Sequence, residues 1–277
     1  MKIVIVGCGR FGSDITELLL DDGHEIVVVD SNEENIENMN NTLDVLAIHG
    51  NGADYNVLND IGMKDTDVCI ACTASDEVNL LVSVLSRRMG ARHTIARFRS
   101  QIPGSKGFQF VKEQIDIDLV VSPEYQTALD AFKIINGNDC KSAILIGATR
   151  IATFLTRLLV AKGVSVQIID NNEERCNDIS EKIPSAAVVI NDDETKHSTL
   201  LDAGIKTTDA FVSVTAMDEE NILTSLYAKD CGVPTVVTKL SKSAYSDIVN
   251  NLKLEYVVSP RTSTALMIVD FVRGLSK

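Results

Sequence analysis

The stretch KIVIVGCGRFG, from Lys2 to Gly12, determines how the fold begins. A short β-branched run leads into three glycines spaced G-x-G-x-x-G, and a helix-forming segment follows. In such a turn Gly7 permits the tight bend, Gly9 lets the backbone approach a pyrophosphate, and Gly12 lets helix and strand pack closely. The N–H groups at the start of the helix attract a phosphate. The stretch therefore predicts a strand, a phosphate-binding loop and a helix.

A carboxylate at the end of the second predicted strand supports nucleotide binding. The run from Ile26 to Val29 is typical of a strand buried on both faces of a parallel sheet, and Asp30 follows it. A carboxylate at this place can accept both hydroxyls of an adenosine ribose and would repel a 2′-phosphate. The sequence thus favours NAD or NADH, or else an adenine nucleotide such as ATP or ADP, over NADP. The alternative is a glycine-lined turn beside a solvated aspartate.

The sequence contains an internal repeat, in which the second half of the chain resembles the first. Four segments recur in the same order in the second half: KIVIVGCGRFG as SAILIGATRIA, EIVVVDSNEEN as SVQIIDNNEER, TASDEVNLL as TAMDEENIL, and VVSPEYQTALDAF as VVSPRTSTALMIV. Each half alternates strand and helix patterns, which implies right-handed β-α-β crossovers. We predict an α/β protein of two tandem Rossmann-like, doubly wound parallel-sheet domains, residues 1–138 and 139–277. Strands of the first half should begin near Lys2, Glu25, Asp44, Asp67, His93 and Asp118.

The second phosphate loop is degraded. It keeps Gly147 and has alanine at the third glycine position, but Thr149 replaces the middle glycine. The Cβ of Thr149 would stand where a pyrophosphate should approach the backbone. Asp170 is retained at the strand end. The second site is therefore expected to be weak, altered or empty, and Thr149→Gly should improve it if the threonine side chain is the obstruction.

The candidate binding residues gather where parallel strands end, because those ends meet at one edge of the sheet. Asp76 and Glu77, at the start of the next helix, are more simply explained as helix caps. The candidates of the first half are Gly7, Cys8, Gly9, Arg10, Phe11, Gly12, Asp30, Ser31, Asn51, Gly52, Thr73, Ala74 and Arg97. The weaker candidates of the second half are Gly147, Arg150, Asp170 and Thr215.

Charge and composition exclude several other functions. The chain has 39 acidic and 26 basic residues, a net charge of −13, which argues against nucleic acid as the main partner. No run approaches the ~18 apolar residues of a membrane span, and the N-terminal apolar run is too short for a secretory signal. Cys69 and Cys72 form a C-x-x-C pattern inside a predicted strand, where they should face opposite sides of the sheet. We therefore expect neither a metal site nor catalytic residues.

Together these motifs resemble the RCK, or KTN, domain family of regulatory subunits of potassium transport. The resemblance rests on GCGRFG, the aspartate that ends the second strand, the turn from His49 to Gly52, the string TASDEVN and the Ser122-Pro123 helix start. Tandem duplication within one chain strengthens it. One departure is clear: such proteins usually carry a smaller subdomain after each nucleotide domain, whereas here the first half runs directly into the second.

The resemblance implies a function that the residues alone do not give. It implies a cytoplasmic nucleotide-binding subunit, peripheral at the inner face of the membrane, which assembles as a homo-oligomeric ring on a membrane potassium transporter subunit and gates it. The competing class is an NAD-dependent dehydrogenase, but two repeats of this size leave no room for a substrate domain. A third alternative is a structural assembly subunit with vestigial sites.

Overall fold

The computed structural model describes residues 1–99, 109, 114–137, 139–241, 245, 249 and 251–275. The chain divides into two compact units. The first unit combines Met1–Pro123 with Arg261–Lys277, and the second unit is Glu124–Pro260. Among the helices of the described residues, none has the length and apolar character needed to cross a membrane.

The first unit is built on six parallel strands in the order β3-β2-β1-β4-β5-β6. In this order the strands β2 and β3 lie on one side of β1, and β4, β5 and β6 lie on the other side. This is the strand order of a doubly wound Rossmann sheet. Its elements up to residue 121 are β1 (Lys2–Val6), α1 (Arg10–Asp21), β2 (Glu25–Asp30), α2 (Glu33–Thr42), β3 (Leu46–His49), α3 (Tyr55–Asp60), a 3₁₀ turn (Met63–Asp65), β4 (Val68–Ala71), α4 (Asp76–Met89), β5 (His93–Arg97) and β6 (Leu119–Val121).

The second unit repeats this architecture with strand order β9-β8-β7-β10-β11-β12, again parallel. Two tandem Rossmann-like α/β sheets are thus confirmed. The remaining elements of the chain are α5 (Pro123–Asn136), β7 (Ser142–Ile146), α6 (Arg150–Val160), β8 (Ser165–Asp170), α7 (Glu173–Lys182), β9 (Val188–Asn191), α8 (His197–Asp202), β10 (Ala210–Ser213), α9 (Asp218–Asp230), β11 (Thr235–Lys239), β12 (Tyr256–Val258) and α10 (Pro260–Leu275).

The predicted strands of the first half begin within two residues of the observed ones. The observed starts are Lys2, Glu25, Leu46, Val68, His93 and Leu119. The agreement follows from burial on both faces of the sheet. Ile3 and Ile5 enter the core on one face of the first sheet, while Val4 and Val6 enter the core on the other. A strand with two buried faces needs an unbroken apolar run, and such a run is easy to recognise.

The last helix of the sequence packs in the first unit, not with the half of the repeat to which it belongs. Ile268, Val269 and Val272 of α10 are buried in the same core as Ile3 and Ile5. Val269 and Val272 are thus covered by the other half of the repeat, whereas Leu266 of the same helix is 45% exposed.

The compact units therefore break at different places from the sequence repeat. The repeat boundary was predicted between residues 138 and 139, and Asn138 lies outside the described residues. The boundaries of the units fall after Pro123 and after Pro260, because α5 belongs with the second unit and α10 with the first. Each half of the repeat thus contributes its final helix to the other unit.

Candidate nucleotide site

The glycine loop between β1 and α1 has the close contacts that its spacing predicts. Gly7 has a φ of +97°, in the region that favours glycine. A Cβ on Gly12 would lie 1.9 Å from the carbonyl oxygen of Gly7, so only glycine fits. A Cβ on Gly9 would meet no heavy atom within 4 Å. No side chain caps the N-terminus of α1, so its N–H groups face the open space beside Gly9.

Asp30 ties this loop to the end of β2. Its carboxylate accepts hydrogen bonds from the backbone N–H of Cys8 and of Asn32, each at 2.8 Å, and from Nδ2 of Asn35 at 3.1 Å. An ionised carboxylate offers about four acceptor positions. One position therefore remains for a ribose hydroxyl, and the flexible Asn35 amide is the donor that a second hydroxyl could replace.

Cys8 takes part through its backbone rather than through its side chain. The residue is buried in the core beneath the loop. Burial raises the pKa of the Cys8 thiol to about 12, with the Asp30 carboxylate acting in the same direction. The thiol is thus neutral and inert, and the predicted contribution of Cys8 reduces to the N–H group that orients Asp30.

A buried asparagine joins the ends of β4 and β5 at the opposite side of the loop. Asn79 Oδ1 accepts from the Thr73 N–H at 2.8 Å and from the Thr73 hydroxyl at 2.7 Å. Its Nδ2 donates to the Arg97 carbonyl oxygen at 2.8 Å. The guanidinium of Arg97 lies 4.8 Å from the ring centre of Phe11, a cation–π contact. Asn79 was not predicted as a site residue, although it ends the repeated string TASDEVN.

These elements line an open cavity of about 1060 Å³ at the carboxyl edge of the first sheet. Every predicted residue of the first half except Cys8 lines it. The lining residues that the sequence did not suggest are Val6, Val29, Asn35, Cys72, Ser75, Val78, Arg99 and Arg261. Asn35 and Ser75 lie in the repeated segments, so sequence patterns could have found them. Arg261 lies more than 200 residues from the loop, and only the packing of α10 reveals it.

The charge of the cavity wall suits an anionic ligand. Among the described residues that line it, four are arginines, namely Arg10, Arg97, Arg99 and Arg261, and one, Asp30, carries a carboxylate. The chain as a whole has a net charge of −13, so this local excess of positive charge stands out. Guanidinium groups are well matched to phosphate oxygens.

The second unit keeps the loop between β7 and α6, but side chains of the protein occupy the space around that loop. Gly147 has a φ of +98°, like Gly7. Thr149, in place of Gly9, caps α6, its hydroxyl accepting from the Ala152 N–H at 3.3 Å. The threonine hydroxyl therefore accepts from a helix N–H that a phosphate would need. This adds to the steric obstruction that is predicted from the Cβ of Thr149.

Asp170 in the second unit is already bound to an arginine. Arg175 stands at the repeat position of Asn35, and its Nη2 and Nε donate to Asp170 Oδ1 at 2.7 and 3.0 Å. The Ala148 N–H donates at 2.7 Å and the Asn172 N–H at 2.8 Å. Asp170 is 2% exposed, so the acceptors that would bind a ribose are used within the protein.

Three further positions of the second unit carry bulkier or charged side chains. Glu194, the third residue after β9, corresponds to Gly52. Glu220 corresponds to Val78 in the repeated string. Lys239 ends β11 as Arg97 ends β5, and its Nζ lies 3.4 Å from Asp218 in a buried ion pair. The weaker candidates Gly147, Asp170 and Thr215 thus share an edge of the sheet with bulkier or charged side chains of the protein itself. Arg150 begins α6 and is exposed.

We expect the second unit to become less stable as the pH rises through neutrality. Burial is the largest cause that raises the pKa of Glu194 from 4.5 to about 7. The neighbouring carboxylates of Glu220 and Asp170 act in the same direction, and a backbone hydrogen bond to Glu194 acts against them. The folded chain binds this proton more tightly than the unfolded chain. The stabilisation is therefore complete below the unfolded pKa of 4.5 and is lost as the pH rises through about 7. Its size is on the order of 3 kcal/mol.

Denaturant unfolding of the wild type and of Glu194→Gln at about pH 5 and about pH 8 measures this effect. The variant should lose the part of the pH dependence that Glu194 causes. Glu174→Gln, at an exposed position in the first turn of α7, serves as the control and should behave like the wild type. Identical pH dependence of wild type and Glu194→Gln would contradict the assignment.

The C-x-x-C pattern is confirmed as two separate thiols. Cys69 belongs to the core on one face of the first sheet and Cys72 to the core on the other. Both are free, and burial raises the pKa of each to about 12. Among the described residues, no group of His, Cys, Asp and Glu side chains is placed to hold a metal ion.

Comparison with known families identifies the fold shared by the two units. The TrkA-N domain family matches residues 3–123 and again residues 143–260. The chain belongs to the TrkA-N domain family. The match covers both halves of the repeat, so the resemblance inferred from the sequence motifs is confirmed.

Named relatives extend the match over nearly the whole chain. The Trk system potassium uptake protein TrkA of Halomonas elongata is 23% identical over 364 aligned positions, which cover 99% of this chain and 79% of that protein. A TrkA homolog of Archaeoglobus fulgidus is also 23% identical, with 95% and 79% covered. The aligned span of the first exceeds the 277 residues of this chain, so that relative has additional residues inside it.

Solved structures show the same fold. The GsuK channel superposes with a TM-score of 0.83 at 19% identity, covering 100% of this chain and 70% of the channel chain. The GsuK channel bound to NAD gives 0.82 at 15% identity, covering 99% and 64%. GsuK bound to ADP gives 0.80 at 20% identity, covering 97% and 68%.

Proposed function

We propose that this chain is a nucleotide-binding regulatory subunit of a membrane potassium uptake transporter, and that nucleotide occupancy of the first unit gates that transporter. The cavity of the first unit carries the proposal. It combines an uncapped helix start, the Asp30 carboxylate and four arginines. Family membership and the Trk system relatives supply the transport context.

The ligand we propose is NAD, NADH, ADP or ATP, bound once per chain. Asp30 accepts the ribose hydroxyls, and the loop from Gly7 to Gly12 holds the phosphates at the start of α1. The fold neighbours bound to NAD and to ADP support this class. A ligand can gate a partner only if it binds two states of the assembly with different affinity. We propose that those states belong to a homo-oligomeric ring attached to the transporter at the cytoplasmic face of the membrane.

Titration of the full chain with ADP and with NAD tests the site. Asp30→Ala removes a charged acceptor whose hydrogen bonds contribute about 1.5–3 kcal/mol, so affinity should fall about tenfold to a hundredfold. Asp170→Ala, the matched change in the second unit, should alter affinity less than about twofold, because Asp170 is bound within the protein. Equal losses from both changes, with two equal sites in the wild type, would contradict the proposal.

Reconstitution tests the transport role. A Trk-type membrane subunit in vesicles should bind this chain, and its potassium flux should change when ADP or NADH is added. The Asp30→Ala chain should still bind the membrane subunit but should lose most of the nucleotide response. Turnover of NADH with a panel of carbonyl substrates would instead favour the dehydrogenase alternative. Binding to the membrane subunit without any nucleotide response would favour the purely structural alternative.

A further inference from the structure

We infer that Arg261, in the first turn of α10, binds the phosphate groups of the nucleotide in the first unit. This inference rests on the nucleotide binding proposed above. The added ligand contact comes from the second half of the repeat. It lies outside the glycine loop and the strand ends, which are the features by which this class of site is recognised in a sequence.

Arg261 is held at the wall of the cavity by hydrogen bonds to two residues of the helix α1. Its Nε donates to Asp14 Oδ2 at 2.5 Å, its Nη2 donates to Asp14 Oδ1, and Nη2 also lies 3.3 Å from the Arg10 carbonyl oxygen. Both partners lie in the first turns of α1, where N–H groups and helix dipole attract a phosphate. The Arg261 side chain lines the cavity and keeps 32% of its surface exposed, so a ligand can reach it.

A second arginine on α10 makes an equivalent ion pair away from the cavity. Arg273 Nε and Nη2 donate to the two carboxylate oxygens of Asp22 at 2.8 and 2.9 Å, just beyond the end of α1. The two pairs fasten α10 alongside α1 at both ends. Arg273 is not among the residues that line the cavity. It therefore provides a control that has the same chemistry and the same structural role but no access to the ligand.

The repeat shows that the charge at this position is not a general property of the helix. In the first half the corresponding residue of VVSPE is Glu124, which belongs to the second unit. A glutamate in place of Arg261 would repel a phosphate. Because each half contributes its final helix to the other unit, the first unit, whose site is open, contains Arg261. The second unit, whose site is filled, contains Glu124 at the corresponding position.

Affinities of the full chain for ADP and for adenosine test the inference, adenosine being measured by displacement of ADP. In Arg261→Gln the affinity for ADP should fall about tenfold, while that for adenosine stays within about twofold. Arg261→Glu should weaken ADP further. Arg273→Gln should leave both affinities within about twofold of the wild type, and far-UV circular dichroism should show all variants folded.

Two results would overturn the inference while leaving the proposed site intact. Equal losses for ADP and adenosine in Arg261→Gln would mean that Arg261 only supports the cavity wall. Unchanged ADP affinity in Arg261→Gln, beside a clear loss in Asp30→Ala, would mean that the phosphates lie elsewhere. A wild-type chain that binds no ADP at all would instead refute the proposed function, and this inference with it.

Discussion

Replacement of Gly12 by alanine is expected to destabilise the first unit by about 3–5 kcal/mol. The new Cβ would lie 1.9 Å from the Gly7 carbonyl oxygen and 2.9 Å from its carbon, both backbone atoms, so α1 and β1 must separate. A domain has only about 5–15 kcal/mol of stability, and most ADP binding should disappear as well. Chemical denaturation and amide hydrogen exchange of the full chain measure the loss.

Gly9→Ala is the matched change within the same loop. Its Cβ would meet no protein atom within 4 Å, and the backbone at Gly9 is extended with a negative φ. The variant should therefore fold with near wild-type stability but bind ADP at least about tenfold more weakly, because the methyl group occupies the place of the pyrophosphate. Wild-type stability of Gly12→Ala, or wild-type ADP affinity of Gly9→Ala, would contradict the proposed roles of these glycines.

Asp170→Ala is expected to lower the stability of the second unit by about 2–3 kcal/mol. The change removes a carboxylate that is 2% exposed and leaves two backbone N–H groups and Arg175 without their acceptor. Because Arg175 is 51% exposed, water can solvate it again, which keeps the loss at the lower end for a broken buried pair. Hydrogen exchange of peptides from β8 and α7 should rise, while that of β2 stays unchanged.

Arg175→Ala separates the ion pair from the backbone contacts. Asp170 would keep its bonds from Ala148 and Asn172, so this variant should lose only about 1 kcal/mol. Neither change should alter ADP affinity. A second unit that loses as much stability from Arg175→Ala as from Asp170→Ala would show that the ion pair, rather than the loop N–H groups, maintains the second site.

The sequence by itself determined the fold, the repeat and most of the cavity wall. Strands buried on both faces require continuous apolar runs, and the glycine positions reflect backbone contacts between residues close in sequence, such as Gly7 and Gly12. Asp30 is the last residue of its strand, so its place at the sheet edge is fixed by the strand. Local patterns of this kind are sufficient because the groups that interact lie on adjacent elements of one β-α-β unit.

Only the tertiary structure decided which helix completes each unit and how the second site is filled. Arg261 reaches the first cavity because the apolar face of α10 is buried in the first core, and no local pattern specifies which of two similar cores a helix joins. No local pattern indicates the burial of Glu194 or the ion pair of Arg175 with Asp170. Both depend on contacts between side chains that the fold brings together.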